Sequence, residues 1–133
     1  MSRKFARESA MKLIYQMELL DHFSDFLLEK YIDENELKGE EKTYLIEMYR
    51  AIDENKEAID TIISKHSKGW KINRLSKIDL SVLRVAIAEI LYKDDIPTEV
   101  SINEALEMSK KFSAEDSSKF VNGLLGAFVR ELN

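Results

Sequence analysis

The chain has 133 residues, a length typical of one domain, with 44% hydrophobic residues, 34% charged residues and a formal net charge of −5. It has no cysteine and only two histidines, which excludes disulfides and thiolate metal sites and argues against a histidine-based metal or catalytic centre. Because no apolar run reaches the roughly 20 residues of a membrane-spanning helix and no secretory signal follows the basic N-terminus, we expect a cytoplasmic protein that does not contact a membrane.

Turn residues are scarce, with four glycines and one proline in the whole chain. A β-rich domain of this size would need many more, so the sequence predicts an all-α fold. Apolar residues at helical spacing predict helices over about 3–20, 24–32, 40–65, 76–92, 101–112 and 117–132. The two halves, about 1–66 and 70–133, each contain about three of these helices.

The first predicted helix begins with a basic segment. Residues 1–12 contain four bases and one acid, Glu8. Arg3, Lys4 and Arg7 lie within about one turn, where they could contact one phosphate backbone. A solvated helix face is the alternative interpretation.

In the next two helices, Ser24 is placed to cap the second helix. The long third helix has a polar middle, "DENKEA", which we interpret as the point where its inner face changes partner.

A basic connection joins the two halves. Residues 61–78 contain five bases and no acid, and Gly69 marks the break between helices. We interpret the bases as a solvated connection, and Trp70 as a clamp at the junction of the two helical groups.

Capping patterns mark the helices of the second half. Ser76 with Asp79 resembles a capping box, Pro97 ends the preceding segment, and Ser101 with Glu104 predicts the next helix start. The last segment contains Asn122-Gly123, a pair typical of β-hairpin turns. Apolar residues around it follow helical spacing instead, so we predict a helix in which Gly123 allows close approach of a neighbouring helix or loop.

The sequence contains no signature of an enzyme. It has no glycine-rich nucleotide loop, no Walker lysine and no convincing Ser-His-Asp or Cys-His arrangement, and its carboxylates scatter along predicted solvent faces. We therefore expect neither catalysis nor a cofactor nor a bound metal. Aromatic residues near the basic helix, such as Tyr15, are of the kind on which RNA bases stack, although each could equally pack in the core.

Several segments together resemble the NusB family of bacterial transcription antitermination factors. The matching pieces include "INEA" at 102–105, "AEDS" at 114–117, "KFVNG" at 119–123 and the opening "RKFARESAMKLIYQMEL". The resemblance covers essentially the full length, although residues 21–68 match only in helical character. It implies two packed three-helix groups and a role without catalysis.

The family resemblance also implies partners and site residues. Proteins of this family pair with NusE, a small-subunit ribosomal protein, bind the boxA element of ribosomal RNA operon transcripts, and help RNA polymerase pass terminators. The implied RNA-binding residues are Arg3, Lys4, Arg7, Tyr15, Lys119, Phe120 and Asn122. The implied NusE-facing residues are Asp79, Arg84 and Glu89. Ser2 and Phe5 make the basic arm less basic than is usual in the family.

Two alternative functions stay open at this point. The protein could be a protein–protein scaffold without RNA contact, or an accessory domain in ribosomal RNA modification or ribosome biogenesis. The same helical module begins ribosomal RNA cytosine methyltransferases, but because the sequence ends at Asn133 we expect a stand-alone factor. Monomer and homodimer are both compatible with the sequence.

Overall fold

A computed structural model describes residues 3–69 and 71–133, so the predicted clamp at Trp70 lies outside the described residues. It contains seven α-helices, one 3₁₀ turn and, within those ranges, no strand. The helices are α1 (Arg3–Leu20), α2 (Asp25–Glu34), α3 (Gly39–Glu54), α4 (Lys56–His66), α5 (Lys77–Tyr92), α6 (Thr98–Phe112) and α7 (Ser117–Leu132), with the 3₁₀ turn at Ile72–Arg74. The predicted all-α class is confirmed.

Helix α5 lies at the centre of the fold. All of residues 79–89 are buried, and the helix packs against α1, α3, α4, α6 and α7. A helix that is apolar on nearly every side is stable only where neighbours surround it. One hydrophobic cluster includes residues from both sides of the basic connection, and the boundaries of the two groups, about 1–66 and 70–133, stay a prediction.

The predicted long helix over 40–65 is wrong, because the structure contains two helices there. Asn55 lies between them with φ of −120° and ψ of 19°, and its side-chain amide donates to the Ala51 carbonyl at 2.8 Å, the same oxygen that accepts from the Asn55 backbone N–H at 3.1 Å. Asparagine competes in this way with the helical hydrogen-bond ladder. The break lies in the polar "DENKEA" segment. Both helices contact α5, but α3 packs in addition on α1 and α4 on α7.

Two of the three predicted caps are confirmed. Ser24 Oγ accepts from Leu27 N–H at 3.1 Å, and Ser76 Oγ accepts from Asp79 N–H at 3.0 Å. The cap predicted at Ser101 is wrong. Helix α6 begins at Thr98, directly after Pro97, and the buried Ser101 hydroxyl donates to Glu89 at 2.6 Å.

The Asn122-Gly123 pair lies inside α7, so the helix prediction is confirmed. The close approach predicted at Gly123 is wrong. Gly123 is exposed, and a Cβ placed there would meet no atom within 4 Å. A packing contact therefore does not explain this glycine.

Candidate nucleic-acid interface

The first turn of α1 presents two cations to solvent. Arg3 and Lys4 are both exposed. The Arg3 guanidinium lies 5.0 Å from the ring centroid of Tyr44, and Lys4 Nζ is 3.5 Å from a carboxylate oxygen of Glu104. Exposed contacts of this kind are weak, so both charges are available to an anion approaching this end of the helix.

Arg7, one turn further along α1, is buried. Its Nε donates to both carboxylate oxygens of Glu89, at 2.8 and 3.0 Å, and its Nη1 is 3.4 Å from Glu104 Oε1. The hydroxyls of Tyr44 and Ser101 also donate to Glu89. We call Arg7, Tyr44, Glu89 and Ser101 the Glu89 cluster. It joins α1, α3, α5 and α6 through one carboxylate.

Burial in the Glu89 cluster changes the acidity of Tyr44. Loss of solvation and the neighbouring Glu89 carboxylate raise the Tyr44 pKa far above its ordinary value. The phenol therefore stays protonated and remains a hydrogen-bond donor to Glu89. Arg7 was predicted to bind RNA and Glu89 to face NusE. The polar groups of both side chains instead form hydrogen bonds inside the protein.

Arg84, predicted to face NusE, is 2% exposed and lies in a second internal ion-pair group. Its Nη1 donates to Glu18 at 2.6 Å, and its Nε and Nη2 donate to the two carboxylate oxygens of Asp60, both at 2.9 Å. Burial raises the pKa of Glu18, but Arg84 and Lys77 together outweigh it and leave the pKa below its ordinary value. This arginine ties α5 to α1 and α4.

Asp79, the remaining residue predicted to face NusE, lies at the start of α5. Its two carboxylate oxygens accept from the hydroxyls of Ser113 and Ser117, at 2.7 and 2.9 Å. These bonds fasten the loop between α6 and α7 to α5. The carboxylate is largely buried but borders a groove.

That groove, of about 270 Å³, lies between the first turns of α5 and α7. Its lining includes Phe120 and Asp79, so the structure places a predicted RNA residue beside a predicted partner residue. The other lining residues are Arg74, Leu75, Ser76, Ala114, Asp116 and Ser117. We call it the Phe120 groove.

The remaining predicted RNA residues lie on α1 and α7. Lys119 and Asn122 are exposed, Phe120 is half-buried in the groove, and Tyr15 packs half-buried against the core. The structure thus divides the predicted set into surface groups and the internal Arg7.

Sequence reasoning missed two features of this region. Arg74 lines the Phe120 groove although we interpreted its segment as a solvated connection, and Tyr44 supplies a donor to Glu89 from α3. The even spacing of bases around Arg74 was a signal for the first. No sequence signal indicated the hydrogen bond from Tyr44 to Glu89, because Tyr44 occupies one more position of an apolar helical face.

Two negative findings concern the described part of the chain. No helix in residues 3–69 or 71–133 is long and apolar enough to cross a membrane. Within the same ranges, no group of three or more histidine, aspartate or glutamate side chains is arranged to hold a metal ion.

Comparison with known proteins identifies the family. The sequence model of the NusB family matches residues 4–130. A relative from Ruminiclostridium cellulolyticum, the transcription antitermination protein NusB, is 49% identical over 125 residues, which cover 94% of this chain and 86% of the relative.

Solved structures agree with this match. NusB from T. maritima superposes with a TM-score of 0.91 at 38% identity, covering 98% of this chain and 92% of that one. A crystal structure of the antitermination factors NusB and NusE in complex with dsRNA matches with a TM-score of 0.87 at 27% identity, covering 97% and 96%. The chain belongs to the NusB family of transcription antitermination proteins, which are not enzymes.

Proposed function

We propose that the protein binds the boxA element of ribosomal RNA operon transcripts together with NusE and so promotes processive transcription by RNA polymerase in the cytoplasm. The observation that carries this proposal is the likeness over nearly the full chain to the structure of NusB and NusE bound to dsRNA. Independent support comes from the cations and the aromatic groove that the fold leaves at its surface.

The proposed RNA surface combines two kinds of group. Arg3, Lys4 and Lys119 are exposed cations suited to phosphate contacts. Phe120 borders a groove in which a base could stack, and the exposed Asn122 amide could bond a base edge. Tyr15 belongs to the same proposal as a half-exposed aromatic on α1.

Arg7 has a different role in this proposal. Its guanidinium bonds to Glu89 and Glu104, so reaching RNA would require it to leave both carboxylates. We propose that Arg7 fixes the first turns of α1 and thereby orients Arg3 and Lys4.

The proposed NusE face begins at Asp79. This carboxylate borders the Phe120 groove, so a protein bound there would lie beside the RNA. Arg84 and Glu89 are internal and would support this face by holding α5 against its neighbours. A second copy of the chain covering the same surface is the homodimer alternative, and both arrangements would leave the core unchanged.

A mobility-shift assay with boxA RNA, with and without NusE, tests the proposal. We expect a shift that is stronger with NusE, and weaker when Lys119→Gln replaces the parent. Lys30 is an exposed lysine on α2. The Lys30→Gln variant is therefore the matched control and should behave like the parent. If NusE binds the protein but the mixture never shifts the RNA, the scaffold alternative replaces this proposal.

A further inference from the structure

The connection between α4 and α5 carries three cations without carboxylate partners. Of the five bases in residues 61–78, Lys65 pairs with Glu131 at 2.7 Å and Lys77 pairs with Glu18 at 3.0 Å. Lys68, Lys71 and Arg74 are exposed and form no ion pair with any described residue. Their segment contains no acid, so nothing in it offsets their charge.

The local backbone holds two of these cations within one hydrogen-bonded turn. The Arg74 N–H donates to the Lys71 carbonyl at 2.8 Å and closes the 3₁₀ turn. Lys71 is the extended residue that precedes this turn, so the bond holds Lys71 and Arg74 at the two ends of one turn. Lys68 precedes them at a left-handed bend with φ of 53°.

Arg74 connects these cations to the Phe120 groove, because it lines the groove together with Phe120. The groove also has two acids. Asp79, whose carboxylate is largely buried and accepts from Ser113 and Ser117, and the exposed Asp116 both repel phosphate, so Arg74 is the lining residue that attracts it. We therefore expect an RNA strand that extends out of the groove to pass Arg74 rather than Asp116.

We infer that Lys68, Lys71 and Arg74 form a basic track that binds phosphates of single-stranded RNA next to the nucleotides held at the Phe120 groove. The inference rests on the proposed RNA-binding function and extends its surface beyond the family-implied residues. A row of exposed cations with no acid among them suits a regularly spaced polyanion better than a protein face, which would present mixed charges.

The test is the salt dependence of RNA binding by the triple variant Lys68→Gln, Lys71→Gln, Arg74→Gln. The control is Lys30→Gln, Lys38→Gln, Lys42→Gln, which removes three exposed cations from α2 and the start of α3 and lowers the net charge equally. Kd would be measured by fluorescence anisotropy in the presence of NusE, with a single-stranded RNA that contains boxA and its flanking nucleotides. Melting temperatures would show that both variants are folded.

We expect the slope of log Kd against log salt to fall by about 2 in the track variant, since each phosphate contact of a single strand contributes about 0.7. The control should keep the parent slope. If the parent and control bind RNA and the track variant keeps the same slope, the inference is wrong and the proposed function stands. If the track variant instead loses NusE binding without RNA, the track is a protein contact. Absence of RNA binding by the parent itself would overturn both.

Discussion

Arg7 and Arg84 are both buried, and each guanidinium faces carboxylates rather than solvent. Burying a charge costs several kcal/mol, and only a well-placed partner offsets that cost. Arg84 meets this condition with bonds to both oxygens of Asp60, and Arg7 meets it with bonds to both oxygens of Glu89. Removing one partner therefore leaves the other charge stranded in the interior.

Glu89→Gln should lower the free energy of unfolding by about 3–5 kcal/mol, because it leaves the buried Arg7 charge with only its longer contact to Glu104 at 3.4 Å. The exposed pair of Glu47 and Lys93 provides the control, and Glu47→Gln should cost less than about 1 kcal/mol. Urea denaturation of both variants and the parent gives the comparison. Equal losses in the two variants would show that the Glu89 cluster is not a stabilising centre.

Gly123→Ala should raise the free energy of unfolding by about 0.5–1 kcal/mol. The glycine lies in a helix interior with open space where a Cβ would be, so alanine lowers the entropy of the unfolded chain without a clash. Gly69→Ala is the contrasting change and should destabilise, because Gly69 has φ of 90°. Thermal melts distinguish these signs, and destabilisation by Gly123→Ala would restore the close-packing explanation.

At the scale of the elements, serine caps mark where two of the helices, α2 and α5, begin. Ser76 bonds the N–H of Asp79 at the start of α5, the helix that contacts most of the others. An uncapped start would leave backbone donors without partners at the edge of the core. The cap at Ser76 therefore helps to set the position of α5 and of the Phe120 groove.

Ser76→Ala should cost about 1 kcal/mol of stability, the usual effect of losing a serine cap. Ser76→Asp should retain most of it, since aspartate caps about as well as serine. Ser64→Ala, at an exposed position inside α4, should be nearly neutral or slightly stabilising. Chemical denaturation of the three variants measures this order, and a neutral Ser76→Ala would contradict it.

Helical spacing predicted most of the helices well because each of them except α5, which is buried on nearly every side, buries one face that recurs with the helical period. It could not predict the break at Asn55, where a side-chain amide competes with the backbone, nor the start of α6 ahead of Ser101. The surface cations of the candidate site were visible as local charge. The burial of Arg7 was not, because its partners Glu89 and Glu104 come from the far end of the chain.

For the whole molecule, interior tyrosines link stability to pH. Burial and the nearby carboxylates of Asp53 and Asp25 raise the pKa of Tyr49 from its ordinary value of 10.0 to about 12. Burial also raises the pKa of Tyr31, and burial with Glu89 raises that of Tyr44. The folded chain therefore holds these phenol protons at pH values where the unfolded chain has released them.

Because the folded state binds more protons above pH 10, its free energy of unfolding should fall as pH rises from about 10 towards 12. Tyr49→Phe removes one of the responsible protons, so this variant should lose less stability over that interval than the parent. Tyr92→Phe changes an exposed tyrosine and serves as the control. Urea denaturation at closely spaced pH values measures the slopes of stability against pH.

Lysines also lose their protons in this range, but they are the same in all three chains. A slope difference confined to Tyr49→Phe therefore isolates the contribution of the buried phenol. Identical slopes in all three would mean that Tyr49 releases its proton as readily in the folded chain as in the unfolded one.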